Sequence, residues 1–283
     1  MERNALVDLH MHSTASDGTW RSERLVENVL KAGIKLFALT DHDSTENVPA
    51  VALLAAQNGL SFVPGVEVST LYENRTYHIL GLGIKPGHEA LEPMLAKNRR
   101  LMDDKDDAGI QYLASIYPER VSFEEYLAYV DDKERGGWKS LNYLVDKGLC
   151  TSHKDFFSLF IDWKEAFSQV EFPAPQQAIA AIKAAGGIPI LAHPGSRSYD
   201  PDTQKILKDF NDMGVMGFEC FHPDNNEEAT RLCLSFCWEH GLRITGGSDC
   251  HGDFVPSRGL GHPLVRLSDL DLEGITILPP GEI

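Results

Sequence analysis

Short apolar runs alternate with longer amphipathic segments over the first part of the chain. The runs at residues 6–9 and 36–40 have the length of strands, while the segments at about 22–31 and 48–58 repeat apolar residues at helical spacing. Ser22 is a candidate N-cap, and Gly33 and Gly59 follow the two segments at positions where glycine commonly ends a helix. This order predicts parallel strands that are connected by helices.

The next two apolar runs, at about 62–69 and 77–84, are separated by only a few residues. A parallel crossover needs a dozen residues or more, so the turn at Glu73-Asn74-Arg75 predicts a hairpin instead. A turn of two residues would place Glu67 and His78 on one face of the sheet, whereas a turn of three residues would not. The sequence is compatible with both turn lengths.

Residues 86–172 have a different character, because they are rich in charge and helical periodicity and lack strand signals. Ser122 and Glu125 match a capping box ahead of an apolar helical pattern. We predict an inserted helical cap subdomain at 86–172, with a barrel formed by residues 1–85 and 173–283.

The barrel pattern resumes after residue 173. Strands are predicted at 188–192, 216–220 and 243–245, and helices at about 176–185, 203–213 and 226–240. Seven strands in total predict an α/β protein with a distorted (βα)7 TIM-like barrel, although counting strands does not exclude eight. The tail that contains Pro279 and Pro280 is expected to be irregular.

The predicted strands end repeatedly in side chains that bind metals. His10 and His12 are two positions apart, so in an extended strand both imidazoles point to the same side. A single pair of this kind is also explained by two ordinary polar side chains, but the repetition favours a metal centre. The carboxyl ends of barrel strands are where α/β barrels place their chemistry. Further strand-end residues of this kind are His42, Glu67, His193, Glu219, His222, Asp249 and His251.

Composition narrows the class of protein. The formal net charge is −16 over 283 residues, which argues against a stable complex with nucleic acid but not against a phosphorylated substrate held by cations. No apolar run approaches the roughly 20 residues of a membrane helix, and the N-terminus does not fit a signal peptide. Five cysteines without framework spacing predict reduced thiols and a cytoplasmic protein, with Cys233 and Cys237 in a helix core.

Five motifs, in order along the chain, resemble the PHP (polymerase and histidinol phosphatase) family of metal-dependent phosphoesterases. The resemblance runs from Leu6 to about His251, with a poorly matched middle, and it is closest to the nucleotide-phosphatase-like branch with a helical insertion. The motifs are His10-Met11-His12 with the following Ser16-Asp17-Gly18, Thr40-Asp41-His42-Asp43, Pro64-Gly65-Val66-Glu67, Ala192-His193-Pro194 and Gly247-Ser248-Asp249-Cys250-His251.

The resemblance implies two or three divalent metal ions, of manganese, zinc or iron. A water bound to such ions becomes a hydroxide near neutral pH and attacks the phosphorus. One ion would be held by His10, His12, Glu67 and Asp249. A second would be held by Asp17, His42 and His193. Glu67 would bridge to a third, with His78 and His251 as partners.

Other residues are expected to act on the substrate or to support the ligands. Asp249 would also relay a proton, and Arg197 is the first candidate for gripping phosphate, since relatives often carry an arginine just after His-Pro-Gly. His222 would contact the substrate. The basic sequence 97–100 and Arg258 are alternative candidates for binding the phosphate, although 97–100 also fits a solvated helix face. Glu219, Asp41 and Asp43 would orient imidazoles, with a turn or helix cap as the alternative for Asp43.

One departure from the family pattern affects the substrate. Many relatives carry Gly-Arg-Pro-His in the insertion, where this chain reads Gly136-Gly137-Trp138-Lys139-Ser140-Leu141. Lys139 could replace the missing phosphate contact, or the substrate could differ. The insertion is expected over the barrel mouth, as in relatives that have one; a remote decoration is the alternative.

The resemblance predicts hydrolysis of a small phosphomonoester, such as AMP or a nucleoside 3′,5′-bisphosphate. Three alternatives stay open: a phosphodiesterase or exonuclease that acts on short oligonucleotides or cyclic phosphates, a histidinol-phosphate phosphatase, and a metal-binding module without catalysis.

Overall fold

The computed structural model describes residues 1–163 and 170–281. Within these ranges, seven strands form one sheet in the order in which they occur along the chain. Their bounds are β1 Leu6–Asp8, β2 Ile34–Leu39, β3 Ser61–Tyr72, β4 Arg75–Leu82, β5 Ile188–Leu191, β6 Gly217–Phe221 and β7 Arg243–Gly246. The predicted seven-stranded α/β architecture is confirmed, with strand limits shifted by one to three residues.

The sheet curves until its first and last strands meet. Neighbouring strands pair in parallel, except that β4 runs antiparallel to both β3 and β5. Beyond the ends of β1 and β7, the Leu9 amide donates to the Gly246 carbonyl at 3.0 Å, and Met11 forms a parallel bridge with Cys250. These bonds close the seam of the barrel on the side where the strands end.

The connection between β3 and β4 is a two-residue hairpin. Tyr72 pairs with Arg75, and the two residues between them, Glu73 and Asn74, have φ angles of 46° and 59°. Positive φ at both turn positions matches the twist of the flanking strands. Of the two turn lengths that the sequence allows, the structure therefore contains the one that puts Glu67 and His78 on a common face.

The helices of the described ranges follow the predicted pattern. In α1 the expected N-cap, Ser22, is instead the first helical residue and Arg21 occupies the cap position, whereas Ser122 caps α4 by accepting from the Glu125 amide at 3.3 Å. The bounds are α1 Ser22–Lys31, α2 Val48–Gln57, α3 Glu92–Ile116, α4 Phe123–Ala128, α5 Lys139–Asp146, α6 His153–Ser158, α7 Pro175–Ala184, α8 Thr203–Met213 and α9 Glu227–His240. None of these helices is long and apolar enough to cross a membrane.

Two kinds of apolar layer hold the barrel together. Inside the sheet, alternate positions of successive strands, among them Val7, Leu36, Val63, Leu80 and Ile190, form one buried cluster. Outside it, the apolar faces of α1, α2 and α7–α9 pack on the opposite sides of the strands. Cys233 and Cys237 belong to this outer layer, as predicted for a helix core.

The tail covers the amino ends of the parallel strands. It bridges to Leu6, Phe62 and Ile244, and Ile275 is buried against the inner cluster. Apart from a short 3₁₀ turn at Leu267–Asp269 and isolated bridges, the tail is irregular up to residue 281, as expected. Because this end of the barrel is closed, the carboxyl ends of the parallel strands are the side on which side chains can form an open site.

The segment between β4 and α7 contains α3–α6 and has an apolar cluster of its own, which includes Ile110, Leu144 and Phe156. It also contacts the loop that carries Asp17, since the Gly137 amide donates to the Asp17 carbonyl at 2.8 Å. The segment therefore reaches the side of the barrel where the strands end. The division of the chain at residues 85 and 172 stays a prediction.

Candidate metal centre

Glu67, on β3, is fully buried and lies at the centre of the histidine cluster. Its Oε2 is 3.0 Å from His10 Nε2 and 3.2 Å from His12 Nε2. Its Oε1 is 3.1 Å from both His193 Nε2 and His78 Nδ1. A carboxylate whose two oxygens face different imidazoles has the geometry needed to bridge two adjacent cations.

Asp249, in the loop after β7, is the second buried carboxylate of the cluster. One oxygen lies 2.9 Å from His12 Nε2 and 3.4 Å from His10 Nε2, and the other lies 3.3 Å from His222 Nε2. The same oxygen is paired with the guanidinium of Arg258, which also contacts Asp224 at 2.9 Å. Asp249 thus links the ends of β1, β6 and β7.

Three members of the cluster reach solvent and mark its open side. The side chains of Asp17, His42 and His78 are 22%, 29% and 24% exposed. Asp17 lies 3.3 Å from His251 Nε2, and the ring centroids of His42 and His12 are 4.5 Å apart. A substrate would therefore approach from this side, because most of the other ligands are almost completely buried.

The described residues contain four groups whose ligand atoms are close enough to share an ion. They are His10, His12, Glu67 and Asp249; His12, Asp17, His42 and His251; His42, Glu67 and His78; and His10, Glu219 and His222. The first is the set that the family resemblance implies. The second group differs from the set that the resemblance implies, because it contains His251 in place of His193. The third group also differs, because Glu67 and His78 are joined there by His42 and not by His251. His193 joins the centre through Glu67.

The structure brings His222 into the ligand cluster, although the sequence suggested a substrate contact. Its ring lies 5.0 Å from that of His193, and its Nε2 faces Asp249. Glu219 contacts two of the ligand residues. Its carboxylate lies 2.9 Å from His10 Nδ1 and accepts a hydrogen bond from the His193 amide at 2.9 Å. It therefore fixes the orientation of His10, as predicted.

Asp41 and Asp43 do not orient imidazoles in the described structure. Asp41 accepts from the Ser13 amide at 2.7 Å and from the hydroxyls of Ser13 and Ser16. Asp43, with a φ of 48°, accepts from the Ser69 amide at 3.1 Å and from Asn98 at 2.7 Å. The two carboxylates instead hold the backbone of the loops beside the ligands.

Two of the ligand positions have an unusual backbone conformation. His193 has a φ of 31° and Asp249 a φ of 52°, in the region that side chains other than glycine rarely adopt. Such conformations cost about 1–3 kcal/mol each and persist where the surrounding structure enforces them. They turn both side chains from the strand direction into the cluster.

Burial and neighbouring charge divide the imidazoles into two protonation classes. Partial burial and the neighbouring imidazoles of His12 and His78 lower the pKa of His42, and burial lowers the pKa of His193, so both are mainly neutral at pH 7 and offer a lone pair to a metal. Burial also acts to lower the pKa of His12, but the contacts with Asp249 and Glu67 outweigh it and raise the pKa to about 10. Without cations, protons on such imidazoles balance the buried carboxylates.

The donor set fits divalent cations. His12 Nδ1 and His193 Nδ1 are buried nitrogens with no hydrogen-bond partner, and leaving such atoms unpaired costs about 1–3 kcal/mol each. Imidazole and carboxylate together suit zinc, manganese and iron. The residues present therefore match the metal ions that the sequence predicts.

Two predicted substrate groups are not joined to the cluster by any contact in the described structure. Arg197, in the loop after β5, is exposed and makes no hydrogen bond or ion pair with a described residue. Lys139 donates to the Leu127 carbonyl at 3.2 Å and lies over the Tyr126 ring, within the helical segment. Their roles stay predictions.

Two residues make contacts at the site that the sequence pattern does not indicate. Arg258 contacts Asp249, but it lies in an irregular loop where no periodicity indicates direction. Asn98, inside the basic sequence 97–100, is fully buried and bonds to Asp43 and to the Ser69 carbonyl. The sequence signal for the burial of Asn98 is its helical spacing from the apolar residues Leu91 and Leu95.

A metal site of buried histidines and carboxylates at the carboxyl ends of strands in a distorted barrel defines a metal-dependent hydrolase. The model of the PHP domain matches residues 8–165, more than half of the chain, which therefore belongs to the PHP domain family. The protein is a metal-dependent phosphoesterase of this family.

Curated relatives agree on phosphoester chemistry but differ in substrate. A 3′,5′-nucleoside bisphosphate phosphatase of Chromobacterium violaceum is 29% identical and aligns over 97% of this chain and 99% of its own. A 5′-3′ exoribonuclease of Haemophilus influenzae is 30% identical over 86% and 89%. A phosphoribosyl 1,2-cyclic phosphate 1,2-diphosphodiesterase of Eggerthella lenta is 29% identical over 91% and 99%.

Solved structures share the fold. A chain from Bifidobacterium adolescentis, described as a metal-dependent phosphoesterase, superposes with a TM-score of 0.76 at 27% identity, covering 90% of this chain and 91% of its own. An amidohydrolase from Chromobacterium violaceum, solved with bound sulfate, gives 0.71 at 27% identity, covering 93% and 98%.

Proposed function

We propose that this phosphoesterase removes a phosphate from a small nucleotide, and that nucleoside 3′,5′-bisphosphates are its preferred substrates. The observation that carries the proposal is the ligand cluster around Glu67 and Asp249, whose most exposed members among the described residues are Asp17, His42 and His78. An opening beside a cluster of cation ligands suits a phosphate group, because bound cations neutralise its oxygens. The alignment with a bisphosphate phosphatase over nearly the whole of both chains supports the nucleotide.

We assign two or three manganese, zinc or iron ions to the groups that the geometry defines. His10, His12, Glu67 and Asp249 would hold the first, and Asp17, His42 and His251 the second. A third ion would be held by Glu67, His78 and His193, because His78 Nδ1 and His193 Nε2 each lie 3.1 Å from Glu67 Oε1. Bound divalent ions activate a water and neutralise phosphate oxygens.

The chain's own side chains would then orient the substrate and move protons. Asp249 Oδ2 lies between His222 and Arg258, so it can accept a proton from the attacking water while these two neighbours hold it in place. Arg197 and Arg258 are the guanidinium candidates for the phosphate oxygens. In the reaction, water adds its oxygen to phosphorus, the ester oxygen leaves with a proton, and inorganic phosphate and a nucleotide are released.

A second candidate is 5′-terminal cleavage of short oligonucleotides, which the exoribonuclease relatives support. The net charge of −16 opposes binding to a long polyanion, so we place this activity below phosphatase action. Histidinol phosphate has no such support. The complete ligand set and the family membership also weigh against a non-catalytic module. The five cysteines, none in a disulfide, are consistent with a cytoplasmic protein.

The test is a substrate panel with metal-loaded enzyme. It would contain adenosine 3′,5′-bisphosphate, AMP, a 5′-phosphorylated trinucleotide, a ribose cyclic phosphate, histidinol phosphate and p-nitrophenyl phosphate. We expect the highest kcat/KM for the bisphosphate, with one phosphate and one mononucleotide released per turnover. A higher kcat/KM for the trinucleotide, with release of mononucleotides from its 5′ end, would replace the proposal by the exonuclease.

A further inference from the structure

A cavity of about 640 Å³ adjoins the open side of the metal centre at His78. The β3–β4 hairpin forms one wall, through Asn74, Arg75 and Thr76, and Ser198 from the loop after β5 forms another. His78 also faces Glu67 at 3.1 Å, so one imidazole borders both the cavity and the ligand cluster. A molecule whose phosphate is bound at the metals could therefore extend into this space.

The two walls are fixed to each other. The Arg75 guanidinium donates to the Ser198 carbonyl at 3.4 Å, and the Tyr199 hydroxyl accepts from the His78 amide at 2.8 Å. The rings of Tyr77 and Tyr199 lie 4.3 Å apart. The cavity is thus formed before a ligand arrives, and the ordering cost of binding is low.

The charge beside the cavity is positive, in a chain whose formal net charge is −16. Arg75 forms no ion pair with a described carboxylate, and neither does Arg197, next to Ser198. Among the residues that line the cavity, Glu73 is the acidic one, and it is paired with Lys205 at 2.6 Å. Lys205 also pairs with Asp209 at 2.9 Å, so the positive charge beside the cavity comes from Arg75 and Arg197. A guanidinium that lines a polar cavity and has no ion pair with a described carboxylate can donate charge-assisted hydrogen bonds to an anion.

We propose that this cavity binds the second anionic group of the substrate, and that Arg75 determines preference for a bisphosphate over a monophosphate. The inference rests on the proposed function, since the first phosphate must be held at the metal centre. It adds a subsite at which the hairpin, and not the metal ligands, binds the part of the substrate that is not hydrolysed.

The experiment compares Arg75→Ala with wild type in the metal-loaded enzyme. The two substrates are adenosine 3′,5′-bisphosphate and p-nitrophenyl phosphate, which has no second phosphate. We expect kcat/KM for the bisphosphate to fall roughly 10- to 100-fold further than kcat/KM for the aryl phosphate, mainly through KM. Arg75→Lys should recover part of the loss, because it keeps the charge without the planar fork.

Arg120→Ala is the matched control, because Arg120 is also an exposed arginine that donates to main-chain carbonyls, those of Lys147 and Gly148. It should leave the ratio of the two kcat/KM values unchanged. Thermal unfolding and metal content would establish that each variant is folded and loaded.

A second measurement separates this proposal from the proposed function. The inhibition constant of adenosine 3′,5′-bisphosphate against aryl phosphate hydrolysis reports binding whether or not the nucleotide is turned over. An inhibition constant that rises at least about 10-fold in Arg75→Ala supports the subsite, even if another nucleotide proves to be the better substrate. Equal inhibition constants in wild type and Arg75→Ala overturn it, even if wild type prefers the bisphosphate.

Discussion

At the scale of single residues, the centre depends on a few carboxylates that each contact several imidazoles. Asp249 faces His10, His12 and His222 and also pairs with Arg258. Its negative charge is therefore needed to hold cations among these groups. The barrel core, which stabilises the fold, is formed by other residues.

We expect Asp249→Asn to lower kcat by roughly 100- to 10,000-fold, because an amide binds cations poorly and cannot take up a proton from water. The free energy of unfolding, measured on both proteins after chelation, should change little, because the barrel core is formed by other residues. Steady-state kinetics, metal analysis and urea unfolding would measure these effects. Asp253→Asn is the control, since Asp253 lies in the same loop but pairs with Arg24 at the surface. Wild-type kcat in metal-replete Asp249→Asn would show that Asp249 has another role.

A second residue-scale prediction concerns Arg197 and Arg258, the two arginine candidates for binding phosphate. Arg197→Ala should keep fold and metal content and lose roughly ten- to several-hundred-fold in kcat/KM, from loss of a charged hydrogen bond worth about 1.5–3 kcal/mol. Arg197→Lys should recover only part of it. Arg258→Ala is the comparison, because Arg258 already contacts Asp249. If Arg197→Ala retains full kcat/KM while Arg258→Ala does not, Arg258 is the phosphate-binding group.

The two arginines also show what the sequence could and could not predict. His10 and His12 were identifiable as a pair because alternate positions of an extended segment point to one side, and Glu67 follows an apolar strand run. Asp249 lies beyond the end of β7, and the family resemblance indicated it. The direction of Arg258 depends on an irregular loop, for which the sequence offers no such rule. The same limit applies to the grouping of ligands around each ion, which depends on distances between loops far apart in the chain.

At the scale of elements, helix α3 is anchored to the barrel beside a ligand. Asn98 Nδ2 donates to Asp43 Oδ1 at 2.7 Å and to the Ser69 carbonyl at 2.9 Å, and Arg99 donates to the Asp43 carbonyl. Asp43 follows His42 directly in sequence. The helical segment and the His42 loop therefore share a buried hydrogen-bond network.

We expect Asn98→Leu to lower the free energy of unfolding by about 1–3 kcal/mol, because it leaves a buried carboxylate and a carbonyl without their donor. Lys97→Leu on the same helix is exposed and should change it by less than about 0.5 kcal/mol. Urea unfolding of both variants would measure the difference. Equal effects would indicate that the network does not stabilise the contact between α3 and the barrel.

The elements themselves were largely predictable, and the exceptions have physical causes. The hairpin between β3 and β4 followed from its short connection, but its length did not, because Glu73 and Asn74 adopt positive φ that neither residue requires. The N-cap of α1 is Arg21, one residue before the predicted Ser22. Arg21 makes no capping hydrogen bond through its side chain, so no sequence signal marks this position.

At the scale of the whole molecule, the centre joins residues from all seven strands or the loops that follow them. Buried carboxylates and imidazoles from both ends of the chain meet there, as in the 2.9 Å contact between His12 and Asp249. Cations in this position stabilise the folded chain in proportion to their affinity, since the unfolded chain lacks the site.

We expect chelation to lower the thermal unfolding midpoint by about 5–10 °C, from a loss of about 2.7 kcal/mol when ions are present at 100 times their dissociation constant. Before chelation, elemental analysis should find two or three manganese, zinc or iron ions per chain. Readdition of Mn²⁺ or Zn²⁺ should restore the midpoint. One ion or fewer after mild purification, with no uptake on addition, would contradict the assignment of two or three ions.

The seam between β1 and β7 bears on how the chain folds. The Leu9, His12 and Asp249 amides cross it to Gly246, Cys250 and His10, joining residues more than 200 positions apart. Contacts so distant in sequence form only after a very large loop has closed, and such contacts slow folding. The group of His10, His12, Glu67 and Asp249 is complete only after that closure. The nascent chain must therefore complete its barrel before these four ligands can bind a metal ion together, and a kinetic trap with an open seam would lack this site and be inactive.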